Sequence, residues 1–233
     1  MIGLYIAGGY PDIKKFEEVF EFLQTSKAAF IEVGLPFNDP VADGPVIAEA
    51  INKVVDNKVN LEEILSVVRN KKKKKCYVMT YANIIYKYGL EKFSKVYGDI
   101  LDGLIIADLP NRLHSFFYSQ GLSIHIIPFV TPESRLQDLV SLKNLKGDFI
   151  YFISTRGTTG GSVINLEEIG EKAKYVKKFV PEKKLYLGFG IKNYRDVMVS
   201  KEFFDGVIIG TSIVERQKDL QLLKEYIESI NIL

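Results

Sequence analysis

Short, nearly continuous apolar runs recur eight times along this chain, with stretches of helical spacing between them. The runs are Gly3–Ala7, Ala29–Val33, Tyr77–Thr80, Gly103–Ala107, Ile124–Ile127, Phe149–Ile153, Leu185–Leu187 and Gly206–Ile209. A strand that is apolar on both faces must be covered on both faces, which is the condition of a parallel sheet sandwiched by helices. The intervening stretches meet that condition. After Pro11-Asp12, residues Ile13, Phe16, Val19, Phe20 and Leu23 fall on one helical face. Val46–Val55 and Leu61–Val68 repeat the pattern, with Asn60 and Glu63 spaced as a capping pair. Further helices are expected to begin near Pro132, to carry Leu166, Ile169, Ala173, Val176 and Val180, and to run from about Ile213 to Ile230.

Eight strand–helix units within 233 residues are the content of one closed (β/α)8 barrel, an α/β fold of about this size. The expectation is a single barrel domain over residues 1–233; an open doubly wound sheet is the alternative. No linker or low-complexity segment interrupts the pattern. Hydrophobic residues make up 47% and charged residues 26% of the chain, enough for a packed core. The net charge of +2 provides no general field for nucleic acid or an anionic membrane. No apolar run approaches the ~18 residues of a membrane span, and the first residues lack the basic start of a signal peptide. With Cys76 the one cysteine, no intrachain disulfide can form, and a reducing cytoplasm is the expected compartment. Cys76 has no flanking histidine or acid and reads as a core thiol.

In such barrels the chemistry sits at the C-terminal ends of the strands. The stretch FIEVGLPFNDPVADGPVI, Phe30 to Ile47, lies there. Strand alternation turns Ile31 and Val33 toward the helices if Glu32 points inward. A lone buried carboxyl group resists ionisation, so its pKa rises and it becomes a general acid near neutral pH. The alternative is an ion pair with a barrel lysine, but none of the eight runs contains one. Asp43, eleven residues on, reads as a second carboxylate over the same cavity or as the cap of the helix that Gly44-Pro45 opens. Asp39 before Pro40 supports either a contact or a turn.

Glycine-rich turns follow the last three strands: Gly157 to Gly161, Gly188-Phe189-Gly190, and Gly210-Thr211. Backbone amides at such turns bind anions without a cationic side chain, and barrels often hold phosphate there. Tight turns alone are the plainer reading. The lysine run Lys71–Lys75 falls on the opposite face and reads as a solvated helix end. His114 and His125 read as ordinary surface or core residues, and no metal-ligand set stands out.

The motifs IEVGLPFNDPVADGP, YIAGGYP, MTYAN, IIADLP, STRGTTG, GFGI and GTSIV, in this order and across nearly the whole chain, resemble the tryptophan synthase α-subunit family. The resemblance implies cleavage of indole-3-glycerol phosphate to indole and glyceraldehyde 3-phosphate, with no cofactor in this subunit. It implies a pyridoxal-phosphate β subunit as partner in an α2β2 complex. Glu32 and Asp43 then correspond to the catalytic pair, assisted by Tyr151. Tyr5, Met79, Tyr81, Ala107 and Phe189 correspond to the indole pocket. Gly160, Gly190, Gly210 and Thr211 correspond to the phosphate cradle. Thr159 belongs to a loop closing over Asp43, and Pro36, Asp39 and Pro40 to the partner contact, where Phe37 adds an apolar face if exposed.

Three departures from the family accompany the match. The chain starts almost at strand one, so the usual preceding short helix is expected to be missing. Tyr10 stands where many relatives carry Asp, and Arg156 adds a charge after strand six. Other phosphate-binding barrels fit less well: a prenyl-glyceryl phosphate transferase calls for metal-chelating acids, and indole-glycerol phosphate synthase for a strand lysine. A stand-alone indole-releasing lyase and a non-catalytic activating subunit remain as alternatives within the family.

Overall fold

A computed structural model describes residues 1–154, 166–188 and 190–233; the side chains of 166–168 lie outside that description. Eight parallel strands alternate with helices. The strands are β1 (Ile2–Ala7), β2 (Phe30–Gly34), β3 (Lys75–Thr80), β4 (Gly103–Ile106), β5 (Phe129–Val130), β6 (Phe149–Ile153), β7 (Lys184–Gly188) and β8 (Gly206–Ile209). The helices are α1 (Ile13–Thr25), α2 (Pro45–Asp56), α3 (Leu61–Lys71), α4 (Ala82–Tyr88), α5 (Leu90–Tyr97), α6 (His114–Ser119), α7 (Leu136–Ser141), α8 (Leu166–Phe179), α9 (Tyr194–Ser200), α10 (Thr211–Val214) and α11 (Leu220–Ser229). The strand order β4-β3-β2-β1-β8-β7-β6-β5 brings the chain's first and last strands together at the centre of the sheet. Leu104 N–H donates to His125 O (2.8 Å) and Ile127 N–H to Leu104 O (2.8 Å), joining β4 to the run before β5 and closing the ring.

Two cores follow from strand alternation. Leu4, Ile6, Ile31, Val33, Val78, Ile150, Phe152 and Leu187 face outward and pack with the helices, among them Phe16, Val19, Phe20 and Leu23 of α1. Asp12 caps α1 by accepting from Lys15 N–H at 2.9 Å, a contact worth about 1 kcal/mol. The expected Asn60–Glu63 capping box is formed at α3. Inside the barrel, the rings of Phe30, Tyr77, Phe149 and Tyr186 make one layer, with centroids of Phe149 and Tyr186 4.8 Å apart and of Phe30 and Tyr77 5.0 Å apart. Glycines on neighbouring strands leave room for these rings. A Cβ on Gly3 would lie 2.3 Å from the Phe30 ring, and one on Gly206 2.3 Å from Tyr186.

Four sequence expectations need correction. The fifth run bridges β4 only at Ile126, and the β5 strand proper lies at Phe129–Val130. Pro128 separates the two because it has no N–H to extend a ladder. The helix expected near Pro132 begins at Leu136, after a turn in which Ser134 N–H donates to Thr131 O at 3.0 Å. The last helix is broken into α10 and α11. Gln217, in the break, is fully buried and bonded to Ala7 N (3.0 Å), Ala7 O (2.7 Å) and Tyr10 O (2.9 Å), while Asp219 caps α11. Finally, β3 and β7 each begin with a lysine, Lys75 and Lys184, both exposed at the strand N-terminus. They lie at the end opposite the expected site.

The lysine run is paired rather than merely solvated. Lys71 reaches Glu21 (2.8 Å), Lys72 reaches Asp102 (2.6 Å) and Lys75 reaches Asp148. Cys76 is fully buried, and burial pushes its thiol up to about 12, so it is a core residue and no nucleophile. Replacing Phe149 by Ala empties the centre of the ring layer. We expect a loss of ~3–5 kcal/mol in urea unfolding, against almost none for an exposed control such as Leu222→Ala.

Candidate active site

Inward alternation on β2 delivers Phe30, Glu32 and Gly34 to the barrel interior. Glu32 is fully buried, and neither carboxyl oxygen has a hydrogen-bond partner among the described residues. Burial first, then the neighbouring Asp43 carboxylate, raises its pKa to about 8. A buried ion pair with a lysine is therefore not its role among the described residues. Glu32 is held as a neutral acid, able to give a proton at neutral pH.

Asp43 does not cap α2. That place is taken by Gly44, with no side-chain bond, and Pro45 fills the first turn. Asp43 instead accepts a hydrogen bond from the Tyr81 hydroxyl at 2.8 Å. The same hydroxyl accepts from Ala42 N–H at 3.1 Å, so one phenol fixes two consecutive residues of the loop. Phe37 is half-buried and stacks on the Tyr81 ring, centroids 4.6 Å apart. Its apolar face is spent inside the loop, not left free for a partner. Burial raises the Asp43 pKa, and the Tyr81 bond opposes that rise.

Asp43 lines a cleft at the C-terminal end of the strands, whereas Glu32, Tyr81 and Phe37 are not among its lining residues. Of the expected site residues, Tyr5, Asp43, Met79, Tyr151, Gly190, Gly210 and Thr211 line it together. Gly190 adopts φ +84°, a conformation that disfavours any side chain. Ala107 lines the neighbouring groove instead, beside Phe129 and Ile153. Pro36 and Pro40 are half-buried and Asp39 is exposed on the loop between the acids. Thr159, Gly160, Phe189 and Arg156 lie outside the described residues. Tyr10 is buried; its ring meets the Lys218 ammonium at 5.9 Å.

Sequence reasoning missed several contributors. Ile47, Ile191 and Ile208 also line the cleft. Two glycines make the tyrosines possible: a Cβ on Gly188 would lie 1.9 Å from the Tyr151 ring, and one on Gly34 2.1 Å from the Tyr5 hydroxyl. The inward period of β7 and β2 places both glycines on the interior face, but only the folded rings reveal the clearance. His114 is buried with neither ring nitrogen bonded to a described residue, and burial lowers its pKa to about 4, so it stays neutral. No cluster of three or more His, Cys, Asp or Glu able to hold a metal occurs among the described residues.

The folded Glu32 binds its proton more tightly than the unfolded chain does. Its penalty on stability is absent below the unfolded pKa, grows as pH rises from about 4.5 to about 8, and is constant above that. Glu32→Gln removes the penalty. We expect its Tm to match the parent's near pH 4.5 and to exceed it by on the order of 10 °C at pH 8.5, measured by calorimetry across that range. Equal Tm curves at all pH values would contradict the buried neutral acid.

Residues 2–231 match the family model described as "Tryptophan synthase alpha chain". A tryptophan synthase alpha chain from Thermoanaerobacter sp. (strain X514) is 32% identical, covering 97% of this chain and 90% of that protein. One from Campylobacter jejuni subsp. doylei is 33% identical, covering 97% and 93%. The solved structure of tryptophan synthase subunit alpha from Campylobacter jejuni superposes with a TM-score of 0.86 at 31% identity, covering 98% and 94%.

Proposed function

The chain belongs to the tryptophan synthase alpha chain family, a family of retro-aldol lyases that cleave indole-3-glycerol phosphate to indole and glyceraldehyde 3-phosphate, and we propose that Glu32 and Asp43 carry that reaction here. The observation that supports this most is Glu32, a buried acid with no hydrogen-bond partner among the described residues and a pKa of about 8, close enough to the cleft-lining Asp43 to feel its charge.

The bond to break joins indole C3 to C3′ of the glycerol chain. Glu32 gives its proton to C3, and the ring becomes an indolenine with positive charge at nitrogen. Asp43 accepts the hydrogen bond of that N–H and balances the charge. The C3′ hydroxyl proton passes to the Glu32 carboxylate as the C3′=O bond forms. The electron pair of the C3–C3′ bond returns to the ring and restores aromatic indole. Glu32 ends protonated, as it began. General acid–base steps of this kind contribute about 10²–10⁴-fold each.

Tyr151, buried and electrostatically close to Glu32, assists it. Tyr5, Met79, Tyr81, Ala107 and Phe189 accept the indole ring. Amides at Gly160, Gly190 and Gly210, with the Thr211 hydroxyl, hold the phosphate and keep the reacting bond in place. Thr159 closes over Asp43. No cofactor enters these steps; pyridoxal phosphate belongs to a partner β subunit, which meets the loop of Pro36, Asp39 and Pro40 in an α2β2 complex. One barrel domain over residues 1–233, acting in the cytoplasm, completes this reading. No described helix is long and apolar enough to cross a membrane.

The direct test is indole release from indole-3-glycerol phosphate. Glu32→Gln and Asp43→Asn should each lower kcat at least ~10²-fold with unchanged circular dichroism; near-normal turnover in either variant rejects that assignment. Adding a tryptophan synthase β subunit should raise turnover while a complex appears by gel filtration, because ordering the loops over the cleft excludes water. A complex with no change in rate would reject that coupling, and full activity without any complex would favour a stand-alone lyase.

A further inference from the structure

Tyr5 stands between the two halves of the site. Of the residues of β1 that face the barrel interior, Gly3, Tyr5 and Ala7, it is the one with a polar side-chain group. On one side its register partner is Glu32 of β2. On the other its ring packs beside Gly210, where an added Cβ would meet Tyr5 carbons at 3.5 Å. The sheet order β2-β1-β8 therefore sets any ligand that reaches from the end of β8 to the two carboxylates across Tyr5.

The hydroxyl itself has no hydrogen-bond partner among the described residues. The Tyr77 and Tyr81 hydroxyls bond Asp148 and Asp43, whereas that of Tyr5 makes no hydrogen bond to a described residue. It lies over Gly34, whose missing side chain is the space it fills. Tyr5 is only 4% exposed and lines the cleft. Burial, then the charges of Asp43 and Glu32, hold its pKa well above the usual phenol range. It is a hydrogen-bond donor at every working pH, and a cleft-lining hydroxyl without a partner among the described residues is available to a ligand that supplies one.

We propose that the Tyr5 hydroxyl hydrogen-bonds a hydroxyl of the substrate's glycerol chain, and so makes the site select a polyol phosphate over a deoxygenated one. The inference rests on the phosphate and acid placements of the proposed function. A phosphate held at Gly210 and Thr211 and a C3′ carbon at Glu32 put the hydroxyl-bearing carbons over β1. A site built to bond a substrate hydroxyl discriminates against the analogue that lacks it, because its own polar group is then stranded.

The test compares two probes, glycerol 3-phosphate and propyl phosphate, by calorimetry on the parent and on Tyr5→Phe. The substitution removes one oxygen and keeps the ring. The readout is the ratio of the two affinities within each protein, so any general loss cancels. We expect the parent to prefer glycerol 3-phosphate, and Tyr5→Phe to lose ~3–10-fold of that affinity with propyl phosphate unchanged. An unaltered ratio, whether both affinities fall together or neither moves, overturns the inference while leaving the phosphate site standing. Failure of the parent to bind either phosphate overturns the phosphate placement and this inference with it.

Discussion

The carboxyl group of Glu32 is enclosed by the ring of strands with neither oxygen bonded to a described residue, and the surrounding structure is arranged to tolerate it. A buried charge without a partner is too costly to keep, so the group holds its proton. That one response supplies an acid at neutral pH. It also requires that water stay out from below. The layer of Phe30, Tyr77, Phe149 and Tyr186 provides this, filling the barrel interior on the N-terminal side of Glu32. The Tyr77 hydroxyl bonds Asp148 (2.6 Å), itself held by Lys75, at the outer edge of that layer.

Above Glu32 the site is assembled by contacts between elements far apart in the chain. Tyr81, at the end of β3, fixes Asp43 and Ala42 of the loop after β2. Gln217, beyond α10, saturates its amide on Ala7 and Tyr10 at the end of β1. The second contact ties the segment bearing Gly210 and Thr211 to the strand bearing Tyr5. Glycines serve the same end by subtraction: Gly34 and Gly188 give up their side chains so that two tyrosines can lie across strand ends. In a close-packed interior, such clearance is as specific as a bond.

Much of this was legible before any coordinates. The apolar runs located the strands because a doubly covered strand has few other compositions, and Glu32 stood out as the one charge inside such a run. The helix faces of α1 and the cap at Asn60 followed from local periodicity and chemistry. The misplaced fifth strand and the divided last helix were not legible in the same way. Pro128 was visible, but where the ladder resumes depends on β6. Gln217 looks like an ordinary helical residue until the end of β1 is brought beside it.

The sequence by itself determined the fold class and the family and singled out Glu32 and Asp43 as candidates, since each is written in local patterns and motifs along the chain. Tertiary structure alone decided what those acids touch. Asp43 also read as a helix cap, and it is the hydrogen bond from Tyr81, 38 residues later, that holds its carboxylate away from that place. Phe37 read as a surface for a partner, and stacking on the same tyrosine turns it inward. The physical reason is range: periodicity and capping act within a few residues, whereas desolvation, clearance and hydrogen-bond satisfaction depend on groups that meet only when the barrel closes.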